Sequence, residues 1–131
     1  MSRIPQVVWF KRDLRVTDHR PLAEAAARGP VLPLYVVEPA LWRQPDRDRR
    51  HWDLLAACLG DLDRSLRALG GTLAVLEGDV TAVLAGLRER HGPFELWAHE
   101  ETGTGWTFDR DVAVRRWCRA AGLPLREFPQ M

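Results

Sequence analysis

Apolar runs and stretches of helical spacing alternate along this chain. Val7-Val8-Trp9-Phe10 is the first run, and Val31-Leu32-Pro33-Leu34-Tyr35-Val36-Val37 is the second. Thr72 to Leu76, Phe94 to Ala98 and a weaker Leu123 to Phe128 follow. Short unbroken apolar runs bounded by turn residues read as strands buried on both faces. Pro33 lacks a ladder donor, so it sits near the strand start or the strand begins at Leu34.

Between the runs the apolar period changes to that of a helix. Leu22, Ala23, Ala25, Ala26 and Ala27 mark one helix, stopped by Gly29-Pro30. Leu54, Leu55, Cys58, Leu59, Leu62, Leu66 and Leu69 mark a long amphipathic one, stopped by Gly70-Gly71. Val80, Val83, Leu84 and Leu87 mark a third, ended by Gly92-Pro93. A fourth is expected over Trp106 to Ala121, with Trp106, Ala113, Trp117 and Ala120 facing inward and Gly122 as its cap. Thr17-Asp18 and Asp79 carry the short side-chain oxygens that cap helix N-termini. The order β-α-β-α-β-α-β-α-β predicts an α/β fold. Its centre is a five-stranded parallel, Rossmann-like sheet with helices on both faces, over residues 1–131 as one domain.

Composition narrows the partners. The 131 residues carry 19 Lys and Arg against 18 Asp and Glu, a formal net charge of +1. No global field therefore draws the chain to nucleic acid or to a membrane surface. No apolar stretch approaches about 20 residues, and the N-terminus has no apolar leader region, so a cytoplasmic protein is expected. Cys58 and Cys118 have no metal-type spacing and lie among helical apolar residues, which predicts free thiols rather than a disulfide.

Loops that follow parallel strands gather at one sheet edge, where ligands of open α/β sheets bind. Three such loops are polar: Lys11 to Arg15, Glu38 with its followers, and His99 to Gly105. Together they suit a polar, planar or anionic ligand better than a nucleophilic reaction. Gly103-Thr104-Gly105 begins like a dinucleotide fingerprint, but Phe108 stands at the third glycine and the loop follows the fourth strand. The first loop has no glycine, so its backbone is not built to hug a pyrophosphate. Neither serine, Ser2 or Ser65, has a nucleophile context. His19, His51, His91 and His99 show no metal-ligand spacing, and His99 is the best functional candidate. Asp13, between Arg12 and Arg15, is expected to be fixed in an arginine network that braces its loop. The tryptophans are expected in the core. The Arg-rich stretch 40–51, with Arg43, Asp46, Arg47, Asp48, Arg49 and Arg50, reads as a solvated segment or as a contact surface.

The opening Trp9-Phe10-Lys11-Arg12-Asp13-Leu14-Arg15 resembles the N-terminal signature of photolyases and cryptochromes. Arg50-His51-Trp52, Cys58 to Asp63, Leu69-Gly70-Gly71 and Glu77-Gly78-Asp79 resemble further family segments in the same order. His99-Glu100-Glu101-Thr102-Gly103, with Trp106-Thr107 and Arg110-Asp111, is similar to the plant-cryptochrome-like branch. Glu127 to Gln130 resembles the last strand of the family's α/β domain. The resemblance implies the antenna-type domain of a photolyase or cryptochrome, which harvests light for DNA repair or signalling.

That likeness also implies a site and partners. The antenna chromophore would be a folate, a deazaflavin or a flavin. Its expected contacts are Phe10, Lys11, Arg12, Asp13, Leu14, Val37, Glu38, Glu100 and Glu101. FAD and DNA would be held by a helical domain outside this chain, so no catalytic residue and no metal ligand is expected here. Lys11 and His19 stand where Arg and Asn are common, and Trp106-Thr107 stands where folate-binding members carry Asn-Glu. The alternative is a stand-alone nucleotide-binding domain of the universal-stress or electron-transfer-flavoprotein type.

Overall fold

A computed structural model describes residues 3–44, 49–101, 103 and 105–130. Asp46, Arg47, Asp48, Thr102 and Thr104 lie outside the described residues. Strands β1 (Gln6–Phe10), β2 (Val31–Val37), β3 (Ala74–Glu77), β4 (Glu95–His99) and β5 (Leu125–Phe128) form one sheet in the order β3-β2-β1-β4-β5. All four pairings are parallel. Every residue of β1 and β4 is buried, as their continuous apolar runs predict. Pro33 lies inside β2, paired with Val8. It is tolerated because β3 begins only opposite Leu34, so β2 has β1 alone beside it at that point.

Helices cover both faces. On one face α1 (Arg20–Arg28) and α3 (Arg49–Ala68) bury Leu22, Ala25, Leu59, Leu62 and Leu66 against Val8, Phe10 and Tyr35. On the other, α4 (Val80–His91) and α5 (Trp106–Ala121) bury Val80, Leu84, Leu87, Val114 and Cys118 against Val7, Leu34 and Leu96. A short α2 (Pro39–Trp42) follows β2. Fully burying each such side chain contributes roughly 1.5–3 kcal/mol, so the alternation along β1 binds both layers to the same strand. Cys58 and Cys118 are free. Burial, with Glu127 nearby, pushes the Cys118 thiol up to about 11, so it behaves as a small hydrophobe.

Local chemistry at the helix ends agrees with the sequence at Asp79, which accepts from Ala82 N at 3.3 Å, and at Gly122, left-handed at φ 71°. It differs at α1. Thr17 and Asp18 do not cap; His19 does, its Nδ1 accepting from Leu22 N at 3.1 Å. Arg15 explains the change: it donates Nε to Thr17 O and Nη2 to Asp18 O, each at 3.1 Å. Asp18 adopts φ 48° in the resulting turn, a region that Asp tolerates better than most residues. Residue His19 is thereby delivered to the helix start.

The amino edge of the sheet holds a separate polar knot. Glu95 accepts from Gln6 Nε2 at 3.0 Å, from Arg28 Nε at 2.9 Å and from Arg126. Trp97 Nε1 donates to Gln6 Oε1 at 2.7 Å. Burial raises the Glu95 carboxyl, but donors from Gln6, Arg126 and Arg28 outweigh it and hold it at about 2. Two polar residues in otherwise apolar strands are therefore paired across the sheet.

Candidate functional site

The chain reverses direction across the sheet between β1 and β4, and open α/β sheets usually take ligands in the crevice there. Here that crevice is filled by the protein's own side chains. Lys11, 8% exposed, donates Nζ to His99 O at 2.9 Å and to Asp111 Oδ2 at 3.2 Å. It also stands 4.3 Å from the centre of the Trp9 ring. The single lysine thus ties the end of β1 to the end of β4 and to α5.

Asp13 is the second tie. It is 1% exposed. Its Oδ1 accepts from Lys11 N at 2.7 Å. Its Oδ2 meets His19 Nε2 at 2.5 Å and His99 Nδ1 at 2.7 Å. Burial would raise the carboxyl, but the two histidines and the Lys11 amide hold it far below the usual carboxylate range. The expected arginine network around Asp13 is replaced by two histidines, because Arg15 is committed to the Thr17 and Asp18 carbonyls.

Two histidines and a carboxylate with ligand atoms within 4.8 Å of one another have the composition of a divalent-metal site, contrary to the absence of metal-type spacing. Proton accounting argues against that use. Nδ1 of His19 accepts the Leu22 N–H, so the ring proton resides on Nε2, the atom that faces Asp13. A metal there would have to displace that proton and the cap would hold an imidazolate. As it stands, both rings donate to one oxygen, and the cluster is a brace.

With the central crevice closed, open space lies to one side. A cavity of about 270 Å³ sits above the carboxyl ends of β1 and β2, roofed by α2 and α3. Tyr35, Leu41, Leu54, Leu55 and Cys58 supply apolar wall, while Lys11, Arg12, Glu38, Glu101 and Arg110 supply charge. Small-ligand pockets begin near about 300 Å³, so the space suits one ring system. Trp42 and Trp52 meet edge to face at 5.5 Å between centroids, joining α2 to α3.

Arg110 organises the charged side. It is 9% exposed and donates Nη1 to Glu38 Oε2 at 2.9 Å and Nη2 to Glu101. Its Nε lies 2.9 Å from Asp111 Oδ1, and its guanidinium stands 4.9 Å from the Trp9 ring centre. Arg12 reaches Glu101 from outside at 3.1 Å. Burial drives the Glu38 carboxyl up to about 7, against the pull of Arg110 and with the push of Glu101, Asp111 and Asp79. Gly103 passes so near α5 that a Cβ would collide with the Thr107 hydroxyl.

Of the residues expected in the site, Phe10, Lys11, Arg12, Leu14, Glu38 and Glu101 line this cavity. Asp13 lies beneath it as the brace. Val37 and Glu100 stand apart: Val37 packs with the α1–α3 layer, and exposed Glu100 donates its backbone N–H to Phe128 O at 2.7 Å. Arg110 was the principal residue that periodicity missed. Buried Thr107, Arg110, Asp111, Val114 and Cys118 form the inward stripe of α5, whereas Ala113 and Ala120 are exposed. An Arg-Asp pair in register with Val114 and Cys118 was the available signal. Trp9 and Trp97 are buried as expected, but Trp52, on α3, is 40% exposed.

A broader cavity of about 640 Å³ lies beyond the brace, lined by Arg15, His19, Arg20, His99 and Phe128. Arg20 stands 4.6 Å over the Phe128 ring.

Comparison with known proteins gives these features a context. The family model described as DNA photolyase matches residues 6–131. A deoxyribodipyrimidine photo-lyase from Agrobacterium fabrum is 32% identical over 130 residues, covering 98% of this chain and 26% of that protein. Cryptochrome-2 from Gallus gallus is 33% identical over 121 residues, covering 91% of this chain and 20% of that protein. Among solved structures, an archaeal photolyase from Sulfolobus tokodaii, described as holding two FAD molecules, superposes with a TM-score of 0.84 at 23% identity. That match covers 96% of this chain and 29% of the other. The chain therefore spans about a quarter of the length of the photo-lyase it matches, and corresponds to the α/β domain at the N-terminal end of such proteins. With the order of strands, the Lys11-to-Arg15 loop and the family match in agreement, the chain belongs to the DNA photolyase family.

Proposed function

We propose that this domain holds an antenna chromophore in the cavity above β1 and β2, and that it passes absorbed light energy to FAD in a helical domain of a longer cytoplasmic protein. The observation that carries the reading is the cavity itself: an apolar wall from Tyr35, Leu41, Leu54 and Leu55 on one side, and charge from Glu38, Glu101 and Arg110 on the other. A planar heteroaromatic ring matches both sides, since it stacks on carbon and presents polar atoms at its edge. The Sulfolobus photolyase, with its two FAD molecules, is described as implying a novel light-harvesting cofactor, and this supports a flavin as one occupant here.

On this reading the domain carries out no bond chemistry alone. A bound chromophore would supply light absorption. Tyr35 and Leu55 would bury its ring, the Trp42–Trp52 pair would flank the mouth, and Glu38 with Arg110 would fix its orientation. A phosphate-led nucleotide site is disfavoured, because Lys11 N–H, the first amide after β1, is already bonded to Asp13. DNA contact, and repair or signalling, would reside in the rest of the longer protein.

The test is equilibrium dialysis of the 131-residue chain against a folate, a deazaflavin and riboflavin, each at high micromolar concentration. Saturable binding of at least one, blocked by Leu55→Trp, is expected. Failure of all three to bind overturns the antenna reading, and tight binding of ATP in their place would favour the nucleotide-binding alternative.

A further inference from the structure

The cavity of about 640 Å³ beyond the brace carries polar groups left unspent by the fold. His99 is the first. It is 5% exposed, and its Nδ1 meets Asp13 Oδ2 at 2.7 Å. Asp13 is an ionised carboxylate with no proton to give, so the ring proton is on Nδ1 and Nε2 of the neutral ring is a bare acceptor. Nε2 has no hydrogen-bond partner among the described residues and is not sealed from solvent, so it faces the open space that the ring lines. His19, on the same wall, has both nitrogens engaged, by Asp13 and by Leu22 N.

Two arginines supply donors. Arg15 gives Nε and Nη2 to the Thr17 and Asp18 carbonyls, which sets its plane and leaves Nη1 over among the described residues. Arg20 gives Nε to Glu24 at 2.8 Å and keeps both terminal nitrogens. Its guanidinium lies 4.6 Å over the Phe128 ring, which is itself stacked on Trp97 at 6.1 Å between centroids. Exposed Asp18 is the one acid in the lining among the described residues, and the two arginines outnumber it.

We propose that this cavity binds a small phosphorylated sugar, with its phosphate on the spare N–H groups of Arg15 and Arg20 and a neighbouring hydroxyl donating to His99 Nε2. A bare anion would answer the arginines but set its own lone pairs against Nε2. A hydroxyl beside the phosphate satisfies both, and the volume falls within the range of about 300–1,000 Å³ usual for small ligands. A site built around a hydrogen bond rejects an analogue that lacks it. This cavity lies apart from the one above β1 and β2, so the assignment does not rest on the antenna reading.

The experiment titrates the isotope-labelled 131-residue chain at about pH 8, followed by amide and imidazole nitrogen shifts. The probes are ribose 5-phosphate and methyl phosphate, which is a dianion above about pH 6 and has no hydroxyl. Ribose 5-phosphate should give saturable shifts at Arg15, Arg20, His99 and Phe128, and should bind tighter than methyl phosphate by about tenfold or more. Only ribose 5-phosphate should move the His99 Nε2 resonance. Arg20→Gln alters an exposed side chain whose ion pair with Glu24 matters little to folding, and it should weaken binding by about fivefold or more. Equal affinity for the two probes, an unmoved Nε2 resonance, saturable shifts elsewhere or none at all would each overturn the proposal. Tighter binding of the dinucleotide uridylyl-uridine than of ribose 5-phosphate would also overturn it, in favour of an RNA contact.

Discussion

Removing the Asp13 carboxylate should destabilise the domain severely, and the structure sets the scale. Asp13→Ala leaves three buried donors without their acceptor: Lys11 N–H, His19 Nε2 and His99 Nδ1, now at 2.7, 2.5 and 2.7 Å. Each orphaned buried donor costs about 1–3 kcal/mol. Partial relaxation and entry of a water lower the sum, so a loss of about 3–5 kcal/mol is expected. Against a typical total of about 5–15 kcal/mol this is a large fraction. Urea unfolding at neutral pH, read by tryptophan fluorescence, measures it. The acid side carries a second signature. The Asp13 carboxyl is depressed in the folded state, so its stabilisation is present above its ordinary value of 3.8 and is lost as pH falls toward the folded value. The gap between the parent and Asp13→Ala should therefore narrow as pH drops below about 4. A loss under about 1 kcal/mol, or a gap that does not narrow in acid, would refute the brace.

Glu38 should give the opposite pH signature. Its carboxyl is raised from 4.5 to about 7, so its contribution is fully present below 4.5 and is lost as pH rises through about 7. That rise is worth about 3 kcal/mol at about 1.36 kcal/mol per unit, and Glu38→Gln should remove most of this slope in a stability-versus-pH series. The charged groups around it are Arg110 and Asp111 of α5, Glu101 after β4, Asp79 before α4, Lys11 and Arg12 after β1, and His51 of α3. Arg110→Met should leave Glu38 buried without its cation and Glu101 with Arg12 alone, costing about 3 kcal/mol and weakening chromophore binding in equilibrium dialysis. Glu95→Ala, at the amino edge, should cost about 2–4 kcal/mol in urea unfolding by stranding Gln6, Arg28 and Arg126, yet leave chromophore affinity unchanged.

Much of the architecture was legible because it depends on local rules. Continuous apolar runs marked β1 and β4, and the glycine stops and Asp79 marked helix ends. The site was legible only as a set of loops. Phe10, Lys11, Arg12, Leu14, Glu38 and Glu101 could be placed at one edge by the parallel topology. What Asp13 touches could not, since His19 and His99 approach it from separate elements, 6 and 86 residues along the chain. Arg15 shows the same limit: its bonds to two carbonyls move the cap from Thr17-Asp18 to His19, a tertiary decision invisible to capping preference. Arg110 was hidden because an arginine inside a helix reads as solvated until Glu38 and Glu101 are brought beside it.

Whether a chromophore enters the cavity above β1 and β2 can be read residue by residue, by amide chemical-shift mapping of the isotope-labelled chain during a riboflavin titration. Saturable shifts concentrated at Lys11, Glu38, Leu55, Glu101 and Arg110, around that cavity, are expected. Shifts concentrated instead at Arg15, Arg20 and Phe128 beyond the brace, or no saturable shift at all, would contradict the assignment of the cavity as the chromophore site.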